Sequence, residues 1–128
     1  MITKFHKNSC LMNESLLKQY EEEGNYAFAF EVLKKLAENS REYQLKLAHY
    51  YEKGLGTEKD EMKALELVRK VYSNSSPTPY SDVWENAALQ LADYYSRGIG
   101  IEADPERAQH ILDELQNDRE KLDECLSR

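Results

Sequence analysis

The chain has 128 residues, of which 41% are hydrophobic and 32% charged, with five Gly and three Pro. That is the length of one domain, and the balance excludes disordered, collagenous and membrane-embedded classes. Its 17 basic and 24 acidic side chains give a net charge of −7 and a pI near 5.0. This argues against nucleic acid, because phosphate contacts need clustered Lys and Arg, and it favours a partner with a basic surface.

The first residues, Met1-Ile-Thr-Lys-Phe-His-Lys-Asn8, lack the continuous apolar stretch of a signal peptide, and no later run is long enough to span a membrane. Cys10 and Cys125 form no CxxC and no disulfide framework. A cytoplasmic chain with reduced thiols and no membrane attachment is expected.

A helix pair is predicted first, over about 11–39. Leu16, Leu17 and Tyr20 give an apolar stripe, a turn follows at Glu21–Asn25, and Ala29-Phe30-Glu31-Val32-Leu33 opens a second helix. The next pair, over 40–72, begins with Leu47, Ala48 and Tyr51, whose spacing marks one helical face. Gly54 ends that helix, as glycine does in the left-handed position, and Gly56 supplies a second unusual backbone angle. Asp60 is the next N-cap, and Ala64, Leu67, Val68 and Val71 form the following stripe.

A Ser/Pro loop, 73–81, separates this pair from a third over 82–115. The third pair repeats the second: Leu45 to Asp60 and Leu89 to Asp104 share both Leu, Ala, both Tyr, both Gly, Glu and Asp, 44 positions apart. Ala92 answers Ala48, Tyr95 answers Tyr51, Gly98 and Gly100 answer Gly54 and Gly56, Asp104 answers Asp60, and Ala108 answers Ala64. The small Ala48 and Ala92 are expected to let a second helix approach closely. Pro105 suits a first helical position, and Ala108, Ile111, Leu112 and Leu115 form the last stripe. Residues 116–128 read as a charged capping helix bearing Leu122, Cys125 and Leu126. Its continuity with the helix from Pro105, or a break near Asn117, stays open.

The pattern Leu-Ala-x-Tyr-Tyr-x-x-Gly-x-Gly, then Asp, then Lys/Arg-Ala, resembles the Sel1-like repeat family, a branch of the tetratricopeptide superfamily. The likeness is specific over about 42–115 and weaker over 13–40, where the turn is short and lacks the Gly-x-Gly pair. Leu67 and Ile111 stand where the family usually has a bulky aromatic. The resemblance implies an all-α fold: an α/α right-handed superhelix of about three antiparallel helix pairs plus a C-terminal capping helix. It also implies protein binding through a concave face, without catalytic residues.

No chemistry-bearing motif competes with that reading. There is no Gly-x-Ser-x-Gly elbow, His6, His49 and His110 form no zinc motif, and the Gly pairs lack the strand and third Gly of a dinucleotide site. No metal and no cofactor is expected. In a helix-pair superhelix the concave face is lined by first helices. Glu14, Lys18 and Glu21, then Glu42, His49 and Glu52, then Asn86, Asp93 and Ser96 fall there. Tyr80 and Trp84, in and after the Ser/Pro loop, are further candidate contacts, since such side chains suit interfaces; the alternative for Trp84 is a seal between units two and three.

The charge is uneven. Residues 1–64 carry −1 and residues 65–128 carry −6. Three functions follow as expectations: a protein-interaction module that is a monomer or weak homodimer, an acidic antidote to a basic toxin or effector, or an enzyme with a carboxylate site in the groove.

Overall fold

The computed structural model describes residues 14–75 and 82–127. Its helices are α1 (Glu14–Glu22), α2 (Tyr26–Ala37), α3 (Arg41–Lys53), α4 (Glu61–Asn74), α5 (Asp82–Arg97) and α6 (Pro105–Ser127), with no strand among the described residues. Each helix packs on the next in sequence, and α3 also touches α5. This is an all-α array of helix pairs.

Local chemistry sets the boundaries. The side chains of Asn25, Ser40, Asp60 and Asp104 accept from the backbone N–H three residues on, in Phe28, Tyr43, Lys63 and Arg107. These bonds satisfy donors that the first helical turn leaves free. At the other end, the Gly54 and Leu55 amides both donate to the Tyr50 carbonyl, and those of Gly98 and Ile99 to Tyr94. Gly54 and Gly98 are left-handed, with φ of 74° and 77°. The cap residues close the turn: the Asp60 amide donates to the Tyr51 carbonyl at 2.9 Å, and Asp104 to Tyr95 at 2.8 Å.

The second glycine of each pair docks one unit on the one before. A Cβ on Gly56 would lie 2.0 Å from the Tyr26 carbonyl oxygen at the start of α2; on Gly100 it would lie 2.5 Å from that of Glu61 at the start of α4. Both positions also have positive φ. Only glycine meets both demands.

The buried residues form two clusters. One joins α1, α2 and α3 around Leu17, Phe30, Leu33 and Tyr50; the other joins α3 to α6 around Val68, Leu91, Tyr94 and Ile111. The repeated alanines Ala48, Ala64, Ala92 and Ala108 are all buried in this second cluster. Tyr51 and Leu67 pack against both clusters. The core is therefore a row of neighbour interfaces, as in repeat proteins.

Two expectations change in detail, and one open alternative is decided. In α4 the buried positions are Ala64, Leu65, Val68 and Val71, with Leu67 only partly buried between the two clusters. In α6, Leu112 is 36% exposed, whereas the corresponding Val68 is fully buried beneath the next pair. The last helix is unbroken across Asn117, so residues 116–127 continue α6. Cys125 is exposed and Leu126 is 76% exposed.

Candidate functional site

The first helices of the second and third pairs, α3 and α5, lie side by side and leave a groove of about 830 Å³. Glu42, Leu45, Lys46, His49, Glu52 and Lys53 line it from α3, and Asn86, Leu89, Gln90, Asp93, Tyr94 and Arg97 from α5. Five expected contact residues meet here: Glu42, His49, Glu52, Asn86 and Asp93. Glu14 and Lys18 are exposed on α1 and do not line this groove. Tyr80 lies outside the described residues.

Ser96 does not line this groove but the adjoining face of α5, next to Leu89 and Asp93. With Ala92 it borders a separate pocket of about 380 Å³ between α5 and α6. Ala92, expected only as a packing residue, therefore also forms part of a pocket wall. Its partner positions on α6, Pro105 and Ala108, leave space above its short side chain.

Trp84 is corrected. It is 4% exposed and stacks on Tyr72 with ring centroids 6.1 Å apart. Its ring is turned inward against α4, which matches the alternative of a seal between units two and three.

Glu52 is also more deeply placed than its helical spacing implied. It is 5% exposed, on the groove floor, with Arg97 Nη2 at 3.0 Å and Lys53 Nζ and His49 Nδ1 each at 3.6 Å. The Tyr94 hydroxyl interacts electrostatically with Glu52 and accepts from Gln90 Nε2 at 3.1 Å. Burial and the Glu52 charge push the Tyr94 phenol up to about 12, while the Gln90 bond works against them. Gln90 Nε2 also donates to the Leu45 carbonyl at 3.1 Å. Arg97 is clamped a second time, by Asp93, with its Nε 3.0 and 3.1 Å from the two carboxylate oxygens. The Asp93 bonds raise the Arg97 pKa most, with Glu52 adding to them and burial opposing.

A matching device joins α1 to α3. The Tyr50 hydroxyl donates to Glu21 Oε2 at 2.5 Å, and Lys46 Nζ lies 3.2 Å from Glu21 Oε1. Glu21 follows Tyr20 as Glu52 follows Tyr51, so each acceptor holds the first Tyr of the next unit's Tyr-Tyr pair. The third unit has Ser96 at that position, and the series of carboxylates stops there.

Sequence reasoning missed Lys46, Lys53, Gln90, Tyr94 and Arg97 as lining residues. Counted with them, three carboxylates (Glu42, Glu52 and Asp93) face three cations (Lys46, Lys53 and Arg97). The lining therefore carries no acidic excess, because adjacent helix positions supply the balancing cations. Among the described residues no three His, Cys, Asp or Glu side chains are grouped to hold a metal ion, and no helix is long and apolar enough to cross a membrane.

Stacked helix pairs, Gly-x-Gly turns that dock each unit on its predecessor, and a groove between first helices define a helical-repeat scaffold. Residues 41–74 and 86–113 match the family model of the Sel1 repeat. Through these two segments the chain belongs to the Sel1-like repeat family, whose repeats generally mediate protein–protein interaction and typically do not catalyse. No curated protein and no solved structure matches the chain significantly.

Proposed function

We propose that this chain is a non-catalytic interaction module that holds a partner protein or peptide in the groove between α3 and α5. The observation that carries the reading is the groove itself: about 830 Å³, with exposed polar groups from Glu42, His49, Asn86 and Asp93 above a floor fixed by Glu52, Tyr94 and Arg97. A pre-formed floor lowers the ordering cost of binding. The carboxylate that an acid–base site in the groove would use is Glu52, and its oxygens are engaged by Arg97, Lys53 and Tyr94. That commitment supports the non-catalytic reading.

The test is site-specific photo-crosslinking from positions 49 and 86 in extracts of the native host, followed by identification of the crosslinked chain. One reproducible partner, lost on Asp93→Arg while the helical circular dichroism stays unchanged, is the expected result. Crosslinks that are indifferent to Asp93→Arg would remove the groove from the interface.

A second reading rests on charge. The −6 of residues 65–128 lies partly on exposed α6 side chains, including Asp113, Glu120, Asp123 and Glu124. Such a face suits a basic partner, and a cytoplasmic antidote to a basic toxin or effector is the particular form proposed. Its association rate would fall steeply with added salt. A rate insensitive to salt would dismiss it.

A further inference from the structure

The Tyr-Tyr pair of the third unit faces two ways. Tyr94 lines the groove already described, and Tyr95, one residue on, lines a separate pocket of about 370 Å³ between α4 and α6. Two guanidinium groups converge on Tyr95 there. Arg69 of α4 donates from Nε to the Tyr95 hydroxyl at 3.0 Å, with its guanidinium carbon 5.6 Å from the ring centroid. Arg107 of α6 lies 5.1 Å from the same centroid.

The Arg107 contact belongs to the repeat, because Lys63 stands over Tyr51 at 5.1 Å in the unit before. The Arg69 contact has a different setting from its counterpart. Lys34, at the corresponding position of α2, is paired with Glu31 at 3.2 Å. Arg69 has no ion pair with a carboxylate among the described residues, and neither has Arg107. Two cations, neither of them ion-paired among the described residues, share this pocket with a single carboxylate, Glu114, and so leave it one positive charge in excess.

We propose that this pocket binds a carboxylate side chain of a partner protein, held by Arg69 and Arg107. Guanidinium groups offer paired donors that match a carboxylate, and each is pre-oriented by its contact with Tyr95. The charge of the pocket selects a monoanion. Glu114 lines the same space, tied to the Tyr72 hydroxyl at 3.1 Å and to His110 Nε2 at 3.3 Å. One incoming carboxylate with Glu114 neutralises the two arginines, whereas a phosphate dianion leaves an excess of negative charge beside Glu114. The contact lies on a different face from the groove, so one partner chain, or two, is served by chemically distinct sites.

The experiment is a titration of 15N-labelled protein with hexaglutamate, reading the arginine Nε–Hε signals at low ionic strength. Saturable shifts of the Arg69 and Arg107 signals are expected, with apparent affinity at least ten-fold weaker in Arg107→Gln and in Arg69→Gln. Arg107→Lys keeps the charge but not the paired donors, and is expected to weaken binding several-fold. Arg107 is exposed, so its variants keep the test open even where Arg69→Gln disturbs folding. Asp93→Arg, on the groove, leaves the titration unchanged, which separates this site from the groove interface. Absence of saturable shifts at the two arginines, or Arg69 shifts of undiminished affinity in Arg107→Gln, overturns the proposal. Tighter binding of inorganic phosphate than of hexaglutamate overturns its choice of ligand.

Discussion

The Tyr50 hydroxyl donates to the Glu21 carboxylate at 2.5 Å, tying the first unit to the second across 29 residues of sequence. Tyr94 holds the matching position one unit further on, where its hydroxyl interacts with Glu52 and accepts from Gln90 Nε2 at 3.1 Å. Hydrogen bonds to charged groups contribute about 1.5–3 kcal/mol. Tyr50→Phe should lower stability by roughly that amount, and Tyr94→Phe by less, measured by urea unfolding, while the helical signal of the folded state is kept. A loss near zero for both would mean that the two tyrosines act only through the packing of their rings.

These phenols also set an alkaline limit. Burial, with help from nearby carboxylates, pushes Tyr94 and Tyr72 each up to about 12, from an ordinary value of 10.0. Between those values the unfolded chain has released protons that the folded chain still holds. The contribution is therefore complete below pH 10.0 and is lost as pH rises through the folded values near 12. The melting temperature should fall across this window, and less steeply in Tyr94→Phe. Absorbance at the tyrosinate band, followed on the folded protein, should show these two groups ionising after the exposed tyrosines.

The glycines separate two effects that sequence alone runs together. Gly24 has φ of 75° with open space where a Cβ would be, so Gly24→Ala meets only backbone strain, about 1–2 kcal/mol. Gly56 has the same strain and a carbonyl oxygen 2.0 Å from that Cβ, so Gly56→Ala must also push the turn between α3 and α4 away from α2. Overpacking adds about 1–3 kcal/mol. Gly98→Val should be costly through the left-handed angle and the backbone of Ala103, which lies 3.1 Å from a Cβ. Calorimetry of the three variants orders them; equal losses at Gly24 and Gly56 would show that the units are not docked through the second glycine.

Sequence revealed what is local. Asp60, Asp104, Gly54 and Gly98 act within a few residues of where they stand, so their spacing was enough to place the helix ends. Five groove residues were also legible, because helical period fixes which side of α3 and α5 faces the channel. The floor was not. Glu52 reads as one more surface acid on a charged helix, and its burial depends on Arg97, which arrives from 45 positions downstream. The signal was present in outline, since a Glu follows the last Tyr of units one and two while Ser96 follows it in unit three. Trp84 was misplaced for a related reason: an aromatic after a Ser/Pro loop looks exposed until α4 brings the Tyr72 ring against it.

The Glu52–Arg97 pair should respond unequally to removal of its two members. Taking away Glu52 as Glu52→Gln leaves Arg97, 43% exposed and still clamped by Asp93, so its charge remains solvated and paired. Taking away the cation as Arg97→Gln leaves a carboxylate that is 5% exposed, with Lys53 and His49 as the remaining partners at 3.6 Å. A buried charge stripped of its main partner costs up to about 3–5 kcal/mol, more than loss of the partner whose charge stays in water. Arg97→Gln should therefore be the more damaging change, and Asp93→Asn should be mild, because Arg97 keeps Glu52. A double-mutant cycle in urea measures the coupling directly. If Glu52→Gln proved the worse of the two, the carboxylate would be holding the groove through Tyr94 rather than through Arg97, and the Tyr94→Phe variant would then share the larger loss.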